Sequence, residues 1–118
     1  MYMNPSEAQF LNYIDSVKDN TDKHDLATAF LYHYRTNPTL YLMFERFAFE
    51  AIKANKKKLS AWLICNRMRW ENYIAEQATD DFKISNDFIG LYARLFMARH
   101  PQHDGCFTVK QMKRIRGL

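Results

Sequence analysis

The sequence predicts a mainly α domain of four to five helices with one small β-hairpin, its C-terminal half arranged like a winged helix-turn-helix. Three observations lead there. Apolar residues recur at helical spacing through most of the chain, with only three glycines, three prolines and a hydrophobic fraction of 47% among 118 residues. Capping residues stand at the starts of the periodic runs. In the last third, a Trp-bearing helix, a short alternating stretch, a second helix and a basic tail follow one another in the order that such a motif requires.

Ser6 can cap a first helix carrying Phe10, Leu11, Tyr13, Ile14 and Val17, and the polar run from Lys18 to Asp25 reads as a loop that ends in a second cap, Asp25. The next helix extends to about Arg35. Asn37 as N-cap and Pro38 at the first helical position open a third, strongly apolar helix through Leu40, Tyr41, Met43, Phe44, Phe47, Ala48 and Ala51 to about Ala54. Residues 1–55 thus form a helical support within a single domain spanning 1–118. A chain of this length buries a substantial core without metal or disulfide support.

Residues 56–118 form the winged part. From its cap at Ser60 to about Ala78, a helix places Ala61, Trp62, Leu63, Ile64, Cys65, Met68, Trp70, Tyr73, Ile74 and Ala75 in nearly every direction of the helical wheel. It is expected at the centre of the core, with Trp62 or Trp70, or both, buried. Phe82, Lys83 and Ile84 alternate as a strand does, and Cys106 to Val109, after the Asp104–Gly105 turn, are expected to pair with them as the hairpin. Between the two, Ser85 and Asn86 cap a helix that ends near His100, ahead of Pro101. Phe88, Leu91, Tyr92, Leu95 and Phe96 form its core stripe; Asp87, Gly90, Ala93, Arg94 and Met97 give it an unusually slim opposite face.

Charge is divided unevenly. Residues 1–50 hold four Lys or Arg against seven Asp or Glu, a net of −3, whereas residues 51–118 hold thirteen against six, a net of +7. Cations gathered beside a helix and a wing are the electrostatic signature of phosphate binding. Ser85, Asn86, Asp87, Gly90 and Arg94 are therefore the expected reading face, with Arg and Asn suited to base edges. Lys56, Lys57, Lys58, Lys110, Lys113, Arg114 and Arg116 are the expected phosphate contacts. Two plainer readings stand beside this one: Lys53 and Lys56 to Lys58 solvate a helix C-terminus, and the slim face at Gly90 seats a neighbouring helix, from this chain or a second copy.

Arg69-Trp70-Glu71, Phe82-Lys83-Ile84-Ser85-Asn86, Tyr92-Ala93-Arg94-Leu95-Phe96-Met97 and His100-Pro101 followed by Gly105 and Phe107 resemble a family of small, uncharacterised phage and prophage proteins. Its pattern is R-W-E, F-K-I-N-N, Y-A-R-x-F-M and H-P followed by G-F-F, and the likeness covers residues 44–108. Ser85 and Asp87 stand where that family often has asparagines, and Cys106 where it has Phe. The resemblance implies a mobile-element origin and brings no activity with it.

Other chemistries find little support. The longest apolar run, Leu40 to Phe44, is too short to span a bilayer, and the stretch Met1 to Glu7 lacks the regions of a signal peptide, so a cytoplasmic location without membrane contact is expected. Cys65 and Cys106 read as reduced packing residues. His100, His103 and Cys106 recur every three residues, but Pro101 interrupts them and no fourth ligand is near, so no metal site is expected. Arg67 and Glu71 read as a structural ion pair. The tyrosines Tyr32, Tyr34 and Tyr41 read as core. No convergent catalytic site and no cofactor motif is present, which argues against an enzyme. Two functions remain: a DNA-binding protein of a phage or prophage, a regulator or replication accessory acting on duplex DNA; or a protein-binding module, such as an inhibitor of a host or defence complex. A homodimer is compatible with either.

Overall fold

The computed structural model describes residues 5–75 and 84–118. Five helices follow in order: α1 (Pro5–Val17), α2 (Leu26–Thr36), α3 (Pro38–Lys53), α4 (Ala61–Ile74) and α5 (Asn86–Arg99); a 3₁₀ turn spans Pro101–His103. The mainly helical class is as the sequence predicts. So are most caps: Asp25 accepts from the Thr28 amide, Ser60 from Leu63 and Ser85 from Asp87. Pro5, one residue ahead of the expected cap Ser6, already belongs to α1. Asn37 precedes α3 as expected, but its side chain turns back, with Nδ2 donating to the His33 carbonyl at 3.2 Å. At the end of α3, Asn55 takes a positive φ of 65°. The Asn55 amide then donates to Ile52 O, and that of Lys56 to Ala51 O. This left-handed C-terminal cap turns the chain out into the Lys56–Lys58 loop.

Two expectations require correction. The first concerns the centre of the core. That place belongs to α5, which packs against α1, α2, α3 and α4 and buries Leu91, Tyr92, Ala93, Leu95 and Phe96. Helix α4 buries only Ile64, Cys65 and Met68, and both Trp62 and Trp70 are exposed. An apolar wheel on all sides indicates burial only if neighbours exist for every side; α4 packs on α3 and α5 along one side.

The second concerns the hairpin. Among the described residues there is no sheet, only an isolated parallel bridge between Leu59 and Phe107, in which the Leu59 amide donates to the Cys106 carbonyl at 2.8 Å. Cys106–Val109 therefore meets the segment before α4 rather than Ile84, and the wing of a winged helix-turn-helix is not formed there. Phe82, Lys83 and the expected continuation of α4 to Ala78 lie outside the described residues.

Beyond Phe107 the basic tail folds back over the domain. Arg94 Nη2 donates to the carbonyls of Lys110 and Leu118. Arg114 bridges Asp87 at 2.7 Å and the His24 carbonyl at 2.9 Å, the Tyr13 hydroxyl donates to the Arg116 carbonyl, and Ile115 is buried. Gly117 is required at this closure: its φ is +85°, and an added Cβ would lie 2.0 Å from the Tyr13 hydroxyl oxygen.

Burial holds the His33 imidazole below its ordinary pKa of 6.5, and its Nε2 shares a hydrogen bond with the hydroxyl of Tyr92, whose own phenol is pushed up by burial. The unfolded chain takes up a proton at this histidine near pH 6.5, and the folded one only at lower pH. Stability should therefore begin to fall as the pH drops through 6.5, with the loss complete once the folded His33 is itself protonated. Urea midpoints measured across that window should show a smaller decline for His33→Gln. An identical decline would mean that His33 does not contribute.

Candidate functional site

The outer side of α4 is the most unusual surface of the molecule. On the helical wheel Trp62, Leu63, Trp70, Tyr73 and Ile74 share a sector of about 120°, facing away from Ile64, Cys65 and Met68. Trp62 is 60% exposed, Trp70 59% and Tyr73 68%. Of the eight large apolar side chains exposed among the described residues, these five lie on this one helix, so they form a patch rather than the scattered exposure normal for a protein surface. The rings of Trp70 and Tyr73 lie 5.8 Å apart. Arg67 borders the patch and is fixed in place, stacked 4.2 Å over the Phe47 ring and paired with Glu50 at 2.8 Å and Glu71 at 3.6 Å.

At Trp62 this face runs into an open groove of about 740 Å³ between the start of α4, α5 and the tail. Ile89, Gly90 and Ala93 of α5, Phe107 and Met112, and the cations Lys110, Lys113 and Arg114 are among its lining residues. Among the described residues no neighbouring helix fills the space above Gly90: a Cβ there would meet only Arg94 Nη1, at 3.1 Å.

The residues expected to read DNA come together here, but most are already engaged. Ser85 is the α5 cap, the Asn86 side-chain oxygen accepts from Arg69 at 2.8 Å, Asp87 is paired with Arg114, and Arg94 ties down the tail. Lys110 and Lys113 are exposed and have no ion partner among the described residues. Arg116 and the run Lys56–Lys58 lie apart from the groove. Those lysines line a separate hollow with His103 and Gly105, where Lys58 Nζ donates to the Gly105 carbonyl at 3.0 Å.

Comparison of the chain with family models, with curated proteins and with solved structures gives no match.

The remaining titratable groups serve the fold. Cys65 is fully buried, its thiol pushed up to about 12 by desolvation, which leaves no thiolate for nucleophilic attack. Cys106 is also a free thiol raised by burial. Glu45 accepts from Tyr41 and His100 and pairs with Arg99, which also reaches Glu7, so this cluster joins α1, α3 and α5. Among the described residues no three His, Cys, Asp or Glu side chains are placed to hold a metal ion, and no helix is long and apolar enough to cross a membrane. The α4 face escaped sequence reasoning because Trp62 and Trp70 were counted as core. Tryptophan's rarity as a fully buried residue was the available signal.

Proposed function

We propose that this protein is a protein-binding module that docks its partner on the outer face of α4. The observation that carries the reading is the exposed cluster of Trp62, Leu63, Trp70, Tyr73 and Ile74 on one side of a single rigid helix. Aromatic anchors of this kind dominate the energetics of protein interfaces, and leaving them in water has no benefit to the isolated domain. The resemblance to small phage and prophage proteins fits a partner that is a host or defence complex.

Duplex DNA is the second reading, supported by the exposed lysines Lys56, Lys57, Lys110 and Lys113, for which no anionic partner stands among the described residues. Such binding would rest on phosphates. Base readout by α5 has little left to work with, since α5 is the central helix and Asn86 and Arg94 are engaged within the domain.

The two readings separate in one set of measurements. Partners captured from a bacterial lysate by the wild type are identified, purified and titrated calorimetrically against the wild type and Trp70→Ser/Tyr73→Ser, with an expected affinity loss of at least about tenfold for the double variant. Equal affinity of variant and wild type would remove the α4 reading. A saturable gel shift with random duplex at low salt, weakening with a log-log salt slope near about −4 for four lysines, would put DNA ahead.

A further inference from the structure

The groove beside α4 has features that the helix face alone does not explain. Four cations and one anion line it, Arg94, Lys110, Lys113 and Arg114 against Asp87, a net of +3. Asp87 is already neutralised by Arg114 at 2.7 Å, and Arg94 donates to the oxygens of Gly90, Lys110 and Leu118, so that Lys110 and Lys113 have no anionic counterpart among the described residues. The α5 part of the lining is apolar and low, because Ile89 is only partly exposed, Gly90 has no side chain and Ala93 is buried. The tail lining is irregular chain, and the backbone N–H groups of residues 109–111 donate to no acceptor among the described residues.

Building on the protein-binding reading, we infer that this groove receives an extended, acidic segment of the partner, with its apolar side chains on the Ile89–Gly90–Ala93 floor and its carboxylates against Lys110 and Lys113. Each feature has a counterpart in such a ligand. Unpaired N–H groups on the wall suit a partner backbone laid alongside, the mode in which main-chain bonds supply affinity and alternate side chains supply specificity. Uncompensated cations select carboxylates and speed encounter. Trp62 stands where the groove meets the α4 face, so one partner can occupy both surfaces without a gap. Duplex phosphates match the charge but not the floor, which is concave and apolar.

The probe is a pool of short fluorescein-labelled peptides in which Asp or Glu alternates with Leu, Ile or Phe. A matched pool carries Lys for the acids, and another Ser for the apolar residues. Fluorescence polarisation with the full chain should show binding of the acidic pool only. In ¹⁵N–¹H spectra the amides of Ile89, Gly90, Ala93 and residues 110–113 should shift, with the Trp62 indole, while those of Trp70 and Tyr73 stay in place. Gly90→Leu places its Cβ 3.1 Å from Arg94 Nη1, a group that also ties down the tail, so its melting curve is recorded alongside; the folded variant should weaken peptide binding by at least about tenfold. Lys110→Glu/Lys113→Glu, altered only at exposed positions, should weaken it similarly. No binding by any acidic peptide overturns the inference, as does equal binding of the Ser-substituted pool, equal binding by a folded Gly90→Leu, or displacement by duplex DNA with the same amide shifts. Silent groove amides combined with partner capture that still depends on Trp70 and Tyr73 would sink the groove and leave the α4 reading standing.

Discussion

Phe96→Ala is expected to destabilise the protein by about 3 to 5 kcal/mol, whereas Trp70→Ala should change stability by less than about 1 kcal/mol. The contrast follows from where the rings lie. Phe96 is fully buried on the central helix, edge-on to Phe49 at 5.3 Å and to Phe107 at 5.8 Å, so truncation leaves a cavity where three elements meet. Trp70 is more than half exposed, and its nearest ring, Tyr73, lies on the same helix. Urea denaturation of the two variants gives the comparison directly. A Trp70→Ala loss as large as that of Phe96→Ala would mean that α4 is packed on its outer side after all.

The second large effect is electrostatic. Arg99 places Nη1 3.5 Å from a Glu7 carboxylate oxygen and Nε 3.3 Å from one of Glu45, in surroundings where Glu7 is buried and Glu45 mostly so. Its guanidinium also lies 5.1 Å above the Tyr41 ring. Arg99→Ala removes the cation shared by two carboxylates that water reaches poorly, and should destabilise the fold by about 3 kcal/mol. Combining it with Glu7→Gln should recover part of the loss, because the neutral amide no longer needs a cation; a double-mutant cycle reads that coupling. A single-variant loss under about 1 kcal/mol would show that the cluster is solvated enough to do without Arg99.

Local signals were legible in the sequence wherever one residue decides a local bond. Asp25, Ser60 and Ser85 cap because a short side-chain oxygen can reach an amide two or three residues on, and Pro38 starts α3 because its fixed φ suits a first turn. The stripe Leu91, Tyr92, Leu95 and Phe96 was equally readable, because one face of a helix records burial in its spacing. What sequence could not supply was the ranking of two apolar helices. Both α4 and α5 look like core; only tertiary packing decides that α5 is enclosed while Trp62, Trp70 and Tyr73 stay outside. The tail misled for a related reason. Arg94 and Arg114 read as ligands for phosphate, but carbonyls of Lys110, Leu118 and His24 and the carboxylate of Asp87 compete for the same donors inside the domain. Such long-range partners leave no trace in local spacing. Of the slim face expected opposite the α5 stripe, Ala93 is instead buried with the core.

The clasp between the tail and the helical body also fixes the order of events in time. Tyr13 and Arg116 are joined across a separation of 103 residues, and Arg114 reaches His24 across 90. Contacts that close loops of this size form late in folding, after locally connected helices have assembled. They are also held mainly by exposed hydrogen bonds around the one buried anchor Ile115, which places the tail among the segments that open most readily in the native state. One wall of the groove is therefore expected to be among the first parts of the native protein to lift, which hydrogen exchange at the amides of residues 108–118 would read. A ligand seated against that wall would act as a latch, slowing the tail's release and with it solvent exchange at the α5 surface beneath.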